Sequence, residues 1–229
     1  MTDVSEMQTD RRGFLARTAS GAALAALASL PAWVEADAQM PPPGPEVDKD
    51  RGWLRGVNTK YRQFFETPKV ETFIPFHHIA NYYGAWKATA GVKPTDMIAV
   101  LGITGFAVPS VFNDAMWSKY QFGKLIGLTD APTGQPYTRN PFLNPQNGEL
   151  FGSPEVAIPA LQRMGARVIL CNNALGFVSA VSAQAAGATP MAVRTELIAN
   201  MTPGVTIVPA MVQAVEQAQR AGLTYMKNP

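Results

Sequence analysis

The sequence contains few of the residues that build disulfide frameworks or metal sites. Of its 229 residues, one is cysteine and two are histidine. A single cysteine excludes an internal disulfide framework and every metal site made of several cysteines. Two histidines exclude a zinc site made of three histidines from one chain. The lone thiol, Cys171, therefore has to be judged on its position in the fold.

Excess charge of one sign is also scarce. Charged residues make up 16% of the chain, with Lys+Arg 19 against Asp+Glu 17 and a net charge of +2. This balance lacks the positive excess typical of nucleic-acid-binding proteins, and no polybasic run suits a membrane surface. Hydrophobic residues make up 47%, which is ample for one core. We expect a single globular domain without a nucleic-acid partner.

The first 38 residues look like an export signal. Arg11-Arg12-Gly13-Phe14-Leu15 precedes a weakly hydrophobic run, Ala19 to Leu30, and Ala36-Asp37-Ala38 fits a cleavage site. This order is typical of twin-arginine signal peptides, and the run is shorter than the ~20 residues of a membrane-spanning helix. Removing three arginines and five acids with the signal leaves a net charge of +4. We expect a periplasmic protein without a membrane anchor after cleavage, the alternative being an amphipathic N-terminus with a chance arginine pair.

Proline content divides the rest of the chain. Residues 39–58 begin with proline repeats and continue with a charged stretch, which favours neither a helix nor a central strand, so we interpret them as a linker. Residues 59–229 are expected to form the domain. Within it, residues 123–152 are interrupted by prolines and glycines and predict a long loop. Such a loop is usually a lid, a binding surface or an oligomer contact.

Apolar strand patterns alternate with helical patterns along the domain. The predicted strands are 61–66, 97–101, 167–171, 205–208 and 223–226. The predicted helices are 75–87, 107–120, 154–165, 174–186, 191–201 and 210–221. Strands that are apolar throughout are buried on both faces, and such strands occur in sheets covered by helices. The pattern predicts a three-layer α/β fold, with a mostly parallel sheet flanked by helices and a flavodoxin-like topology.

The strongest candidate for chemistry is Cys171, the last residue of the predicted strand 167–171. Ligands gather at the carboxyl ends of strands in open α/β sheets. A helix start at Asn172 and Asn173 would stabilise a thiolate by on the order of 0.3–1 kcal/mol, or up to ~2 kcal/mol when partly buried. We therefore expect Cys171 to be a nucleophile, with both asparagines as ligand-binding residues. The alternative is a cysteine that packs as a small hydrophobic residue.

Further candidates follow the first two predicted strands. His77 and His78 lie in the first turn of a helix, where one of them could reach the thiol as a proton shuttle. Gly105 and Phe106 follow the second strand and could present backbone amides to an anion or a persulfide. Asn113, on the next helix, is a weaker candidate for ligand binding. The alternatives are histidines that cap or pack at a helix start and an asparagine with a surface or packing role.

Motifs for cofactors and metals are missing from the sequence. The segment Gly102-Ile103-Thr104-Gly105-Phe106 is not the G-x-G-x-x-G fingerprint, and neither a phosphate loop nor a recognisable Ser/His/Asp arrangement is present. The ten methionines suggest copper, but several fall at predicted core positions, so packing explains them better. We expect neither a cofactor nor a metal.

The domain carries a series of short motifs in a fixed order. They are Ala107-Val108-Pro109 with residues 114–120, Asn140-Pro141-Phe142-Leu143-Asn144-Pro145, the helix 154–165, and residues 166–175, 205–210 and 222–227. Together they cover the chain from about Tyr61 to Pro229. This series resembles the DsrE/DsrF-like family of sulfur-metabolism proteins.

The resemblance implies a DsrE-like α/β fold that assembles as a homo-oligomer, either a trimer or a hexamer. Some members carry sulfur as a persulfide on a cysteine at a strand-to-helix turn, and Cys171 is the position that matches. Two features depart from the family. Its best-known sulfur-relay members are cytoplasmic, whereas this chain has an export signal, and residues 123–152 are longer than the compact members need.

These observations lead to two functional hypotheses. In the first, an exported protein binds or transfers sulfane sulfur on Cys171 in a sulfurtransferase-like role, with a small sulfur compound or a protein persulfide as donor or acceptor. In the second, the protein is a non-catalytic oligomeric module that binds a ligand or a partner and has a structural cysteine. A nucleotide-using enzyme is a third candidate, but it lacks a phosphate loop.

Overall fold

The computed structural model describes residues 46–146 and 148–229, so the predicted export signal and the start of the predicted linker lie outside the described residues. The described part of the linker packs against the domain. Val47 forms a parallel bridge with Ile207, and the N–H of Asp48 donates to the Ile207 carbonyl at 2.8 Å. Trp53 is buried under the sheet. The folded part of the chain therefore begins before residue 59.

The described strands form one five-stranded parallel sheet in the order β4-β3-β2-β1-β5. The strands are β1 (Tyr61–Thr67), β2 (Met97–Ile103), β3 (Arg167–Cys171), β4 (Val205–Val208) and β5 (Thr224–Lys227). All four strand pairings are parallel. The predicted α/β class is confirmed. The general arrangement is flavodoxin-like, although the strand order differs from the 2-1-3-4-5 order of flavodoxin.

Helices cover both faces of this sheet. They are α1 (Ile74–Ala90), α2 (Asp114–Tyr120), α3 (Phe122–Leu125), α4 (Ile158–Arg163), α5 (Asn172–Ala186), α6 (Pro190–Ala199) and α7 (Met211–Arg220). Short 3-10 turns occur at Gly52–Leu54, Pro94–Asp96, Gly105–Val111, Glu149–Phe151 and Pro154–Val156. Within the described residues, no helix combines the length and the apolar character needed to cross a membrane.

The strand order explains which helix covers which face. From β1 to β4, each strand lies beside the previous one in the same direction, so right-handed connections place α1 to α6 on one face. The chain then returns from β4 across the sheet to β5, which places α7 on the opposite face. We call the cluster under α1 to α6 the larger core and the cluster under α7 the smaller core.

Prolines break two of the predicted helices. The prediction 107–120 is a 3-10 turn, Gly105–Val111, followed by α2, because Pro109 has no N–H to continue a helix and Asn113 begins a new one. The prediction 154–165 is likewise a 3-10 turn followed by α4. There Pro159 cannot donate to the preceding turn, and its ring excludes a continuous helix.

Part of the predicted long loop at 123–152 packs into the domain. Tyr137, Asn140 and Phe142 are buried, and the Asn140 amide donates to the carbonyls of Ser110 at 2.8 Å and Phe112 at 2.6 Å. The absence of a long regular element in the described part of this segment is confirmed. Leu128, Tyr137 and Phe142 belong to the larger core, whereas residues 131–136 are exposed.

Candidate functional site at the ends of β3 and β4

The turns after β3 and β4 lead to opposite faces of the sheet. α5 follows β3 and packs in the larger core, whereas α7 follows β4 and packs in the smaller core. Such a reversal between neighbouring strands marks the position outside their carboxyl ends where ligands of open α/β sheets bind. Cys171 ends β3 at this position, in register with Val208 at the end of β4.

Two helix starts meet at the Cys171 side chain. Cys171 is the N-cap residue of α5, with an extended backbone. Its Sγ accepts a hydrogen bond from the N–H of Met211, at 3.3 Å between the two heavy atoms. Met211 is the first residue of α7, so this N–H is one of the donors that a helix leaves free at its N-terminus. The sulfur therefore lies next to the first turns of two helices.

A glycine in β2 makes room for the Met211 side chain. A Cβ placed on Gly102 would lie 2.8 Å from the Met211 Sδ and 2.7 Å from Cζ of Phe64. Both contacts are shorter than packed side chains allow. Glycine is therefore needed at position 102, where the thioether and the ring pack against the sheet. A glycine inside an apolar strand is the sequence signal that could have indicated this close approach.

The sulfur is covered on the side of the smaller core. Cys171 is 5% exposed and belongs to the same apolar cluster as Ile169, Val208 and Met211. The predicted position at a strand-to-helix turn is confirmed. The burial means that a reagent reaches Sγ only when a neighbouring side chain moves. Met211 is the most flexible of these neighbours, because its side chain is unbranched.

The two asparagines after Cys171 differ in their surroundings. Asn172 is 7% exposed, and its Oδ1 has no hydrogen-bond partner among the described residues. Asn173 is exposed to solvent. A buried acceptor without a partner costs roughly 1–3 kcal/mol, so Asn172 is the more unusual of the two.

Gly105 and Phe106 follow β2 at the same edge of the sheet. Gly105 has a φ of 53°, and a Cβ there would lie 2.7 Å from the Pro68 carbonyl oxygen, so the turn requires glycine. Phe106 is 46% exposed, and its ring meets Phe177 edge to face, with centroids 5.9 Å apart. The Phe106 ring therefore places an exposed apolar surface beside the carboxyl ends of the strands.

The structure does not bring the histidines to the sulfur. Both lie at the start of α1, which packs in the larger core, whereas Cys171 belongs to the smaller core. His77 Nε2 donates to the Phe151 carbonyl at 2.8 Å, and His78 Nδ1 donates to Asn228 Oδ1 at 2.7 Å. The parallel direction of β1 is confirmed, but the sheet lies between these rings and the thiol.

Asn113 has a structural role in the described contacts. Its side-chain oxygen accepts from the Met116 N–H at 3.2 Å, which caps α2. Its amide donates to Asn200 Oδ1 at 2.8 Å, which connects α2 to the end of α6. Capping explains this residue without a ligand.

A second polar cluster lies at the end of β1. Asn228 donates through Nδ2 to Thr67 Oγ1 at 2.8 Å and accepts from His78. The Tyr225 hydroxyl donates to the Glu66 carboxylate. The pKa of Tyr225 is raised to about 12, mainly by burial and secondly by this hydrogen bond. The cluster fixes the C-terminal strand to the sheet.

Among the described residues, no group of three or more His, Cys, Asp or Glu side chains could hold a metal ion.

Comparison with solved structures yields a weak similarity. No family model and no curated protein matches the chain. A solved structure of MTH1491, a protein of unknown function from Methanobacterium thermoautotrophicum, matches 73% of this chain and 99% of its own. The two chains are 14% identical, with a TM-score of 0.39. A similarity of this size supports no conclusion about function.

Proposed function

We propose that the protein is an exported, DsrE-like carrier that accepts sulfane sulfur on Cys171 and passes it on. The observation that carries the proposal is the hydrogen bond from the Met211 N–H to Cys171 Sγ, at the point where α5 and α7 both begin. A sulfur that accepts a hydrogen bond beside two helix N-termini is favoured as a thiolate or as a persulfide anion. The position at the ends of β3 and β4 also fits ligand binding in open sheets.

The proposed reaction exchanges one S–S bond for another. The Cys171 thiolate attacks the outer sulfur of a donor persulfide, R–S–SH, and a bond forms between Sγ and that sulfur. The S–S bond of the donor breaks, and its thiolate leaves with the electron pair and takes up a proton from water. The sulfane sulfur keeps its oxidation state, so the step needs no oxidant. Transfer to an acceptor thiol is the same reaction in reverse.

Burial of the sulfur gives this carrier a protected form. With 5% of Cys171 exposed, thiols and oxidants reach the stored persulfide only after a neighbouring side chain moves. In this proposal the Met211 side chain, whose Sδ lies over Gly102, moves to admit the donor. We therefore expect loading to be slower than the reaction of a free thiol with the same donor.

Mass spectrometry of the intact, reduced full chain tests the proposal. Incubation with glutathione persulfide should add the mass of one sulfur atom, and peptide mapping should place it on Cys171. Dithiothreitol should remove it, which distinguishes a persulfide from a sulfinic acid of nearly equal mass. Cys171→Ala should show no gain. The proposal fails if the native protein gains no sulfur while iodoacetamide alkylates Cys171 in the same sample.

The burial of Cys171 also favours a second candidate, a homo-oligomeric ligand- or partner-binding module with a structural cysteine. In that case the thiol packs with Ile169 and Val208 in the smaller core. Iodoacetamide should then modify Cys171 only as fast as the protein unfolds. A carrier should instead be modified in the folded state, at a rate independent of the unfolding rate measured in denaturant.

A further inference from the structure

The amino ends of the strands carry a group of exposed cations. Lys60 directly precedes β1, Lys93 directly precedes the 3-10 turn before β2, and Arg163 ends α4 just before β3. Lys87 lies in the last turn of α1. Arg55 precedes Gly56, and Gly56 lies beside the side chain of Arg167, the first residue of β3. All five side chains are exposed. We call them the amino-edge cations.

Aromatic contacts join part of this group into one surface. The rings of Trp86 and Tyr61 lie 4.5 Å apart, which brings the end of α1 to the start of β1. Lys60 Nζ lies 5.3 Å from the centre of the Tyr61 ring. Trp86 is 38% exposed beside Lys87. The surface therefore combines positive charge with an amphipathic ring.

The amino-edge cations form no ion pair with any described residue. Ion pairs in the described chain use Lys69, Lys119, Arg139, Arg194 and Arg220. The segments that lead into β1, β2 and β3 are residues 55–60, 87–96 and 163–166. They contain one acidic residue, Asp96. The near-neutral net charge of the chain conceals this separation, because the five cations come from distant segments.

We propose that this edge attaches the protein to the surface of a bilayer containing anionic phospholipid. Three of the five cations are lysines, whose long stems let the charge reach lipid phosphates while a neighbouring tryptophan enters the headgroup region. One side of the Trp86 ring is already occupied by Tyr61, so the ring is poorly placed to stack on the bases of a single-stranded nucleic acid. Attachment here directs the carboxyl ends of the strands, with Cys171, away from the membrane.

Co-sedimentation of the full chain with vesicles tests this attachment. The vesicles contain equimolar phosphatidylcholine and phosphatidylglycerol, or phosphatidylcholine alone. The variant Lys60→Gln/Lys87→Gln/Lys93→Gln removes three amino-edge cations. The control Lys69→Gln/Lys124→Gln/Lys227→Gln removes three exposed lysines elsewhere, with the same change in net charge. Every protein carries the same first 45 residues, so any binding through them is common to all.

The expected result is salt-sensitive binding to the anionic vesicles. Each lysine near such a surface contributes roughly a fivefold gain in affinity, so the amino-edge variant should bind on the order of 100-fold more weakly than the control. Trp86→Ala should weaken binding but keep its salt dependence. Equal binding by the two triple variants, or equal binding to phosphatidylcholine alone, overturns the proposal. Stronger binding to single-stranded DNA than to the vesicles overturns it in favour of a nucleic-acid surface.

Discussion

The two faces of the sheet are covered very unequally. The larger core lies under α1 to α6 and the packed part of residues 123–152, and it contains large buried rings such as Phe142 and Trp117. The smaller core lies under α7 and the 3-10 turn at Gly52–Leu54. The lone thiol belongs to the smaller core. A group in the smaller core is therefore covered by fewer elements than a group in the larger core.

This inequality follows from the order of the strands. Because β1 to β4 follow one another in one direction across the sheet, the helices that connect them lie on one face. The return from β4 to β5 places one helix on the other face. The same return makes the turns after β3 and β4 diverge beside Cys171. The thin cover and the candidate site therefore have a common topological cause.

The largest expected effect compares one phenylalanine from each core. Phe142 packs against the rings of Phe73, Phe76 and Trp117, whereas Phe64 lies between Trp53 and Tyr225. Both side chains are fully buried. Phe142→Ala should lower the free energy of unfolding by about 5 kcal/mol and Phe64→Ala by about 3 kcal/mol, because the lighter cover can collapse onto the cavity. Urea denaturation measures both, and equal losses would contradict the comparison.

A smaller effect is expected when the smaller core is overfilled. Gly102→Ala places a methyl group against Met211 and Phe64, which should cost about 1–3 kcal/mol and displace the thioether. Alkylation of Cys171 should then become faster. Gly84→Ala is the control, since nothing lies within 4 Å of a Cβ at this helical position, and it should stabilise the protein by about 0.5–1 kcal/mol. Unchanged alkylation in Gly102→Ala would show that Met211 does not control access.

The hydrogen bond to the sulfur can be tested with two variants that change the cover of the sulfur in the same way. Met211→Pro and Met211→Ala both delete the thioether, but only proline also deletes the N–H. Position 211 is the first of α7 and follows an extended Ala210, a setting that suits proline. Since hydrogen bonds to charged groups contribute about 1.5–3 kcal/mol, alkylation at fixed pH should be at least roughly tenfold slower in Met211→Pro than in Met211→Ala. Equal rates would mean that the N–H does not stabilise the thiolate.

Local patterns predicted the elements better than their meeting points. Strands 167–171 and 205–208 were predicted with the bounds that the structure has, because their apolar runs are short and sharply ended. Pro109 and Pro159 interrupt helices that the sequence pattern predicts as continuous, because proline lacks the N–H that a helix interior needs.

The arrangement of the candidate site depends on long-range order. Only the strand order shows that the histidines and the thiol are on different faces, and that α7 supplies an N–H to Cys171. No periodicity within one segment encodes either fact. Net charge and runs of charge likewise contain no information about which strand ends lie side by side, so the sequence alone does not show the amino-edge cations as one group.

The smallest expected effect concerns a polar tie on the outside of the larger core. Glu196 of α6 accepts hydrogen bonds from Lys119, at 2.6 Å, and from the Tyr120 hydroxyl, at 2.5 Å, both on α2. The hydrogen bond from Lys119 is the largest cause that lowers the pKa of Glu196 below its ordinary value of 4.5, and the hydrogen bond from Tyr120 is the second largest. A carboxyl with a lowered pKa in the folded state stabilises fully above the ordinary value, and this stabilisation is lost as pH falls through the lowered pKa.

Thermal unfolding between neutral pH and the acid range measures this tie in Glu196→Gln. The variant should lose less stability than the wild type as pH falls below 4.5, by a small fraction of the Phe142→Ala effect, because the pair is exposed and salt screens it. Glu216→Gln is the matched control, since Glu216 pairs with Arg220 along α7 on the smaller core and connects no second element. If both variants change the acid slope equally, the tie between α2 and α6 adds nothing beyond general charge, and the larger core is held by its packing alone.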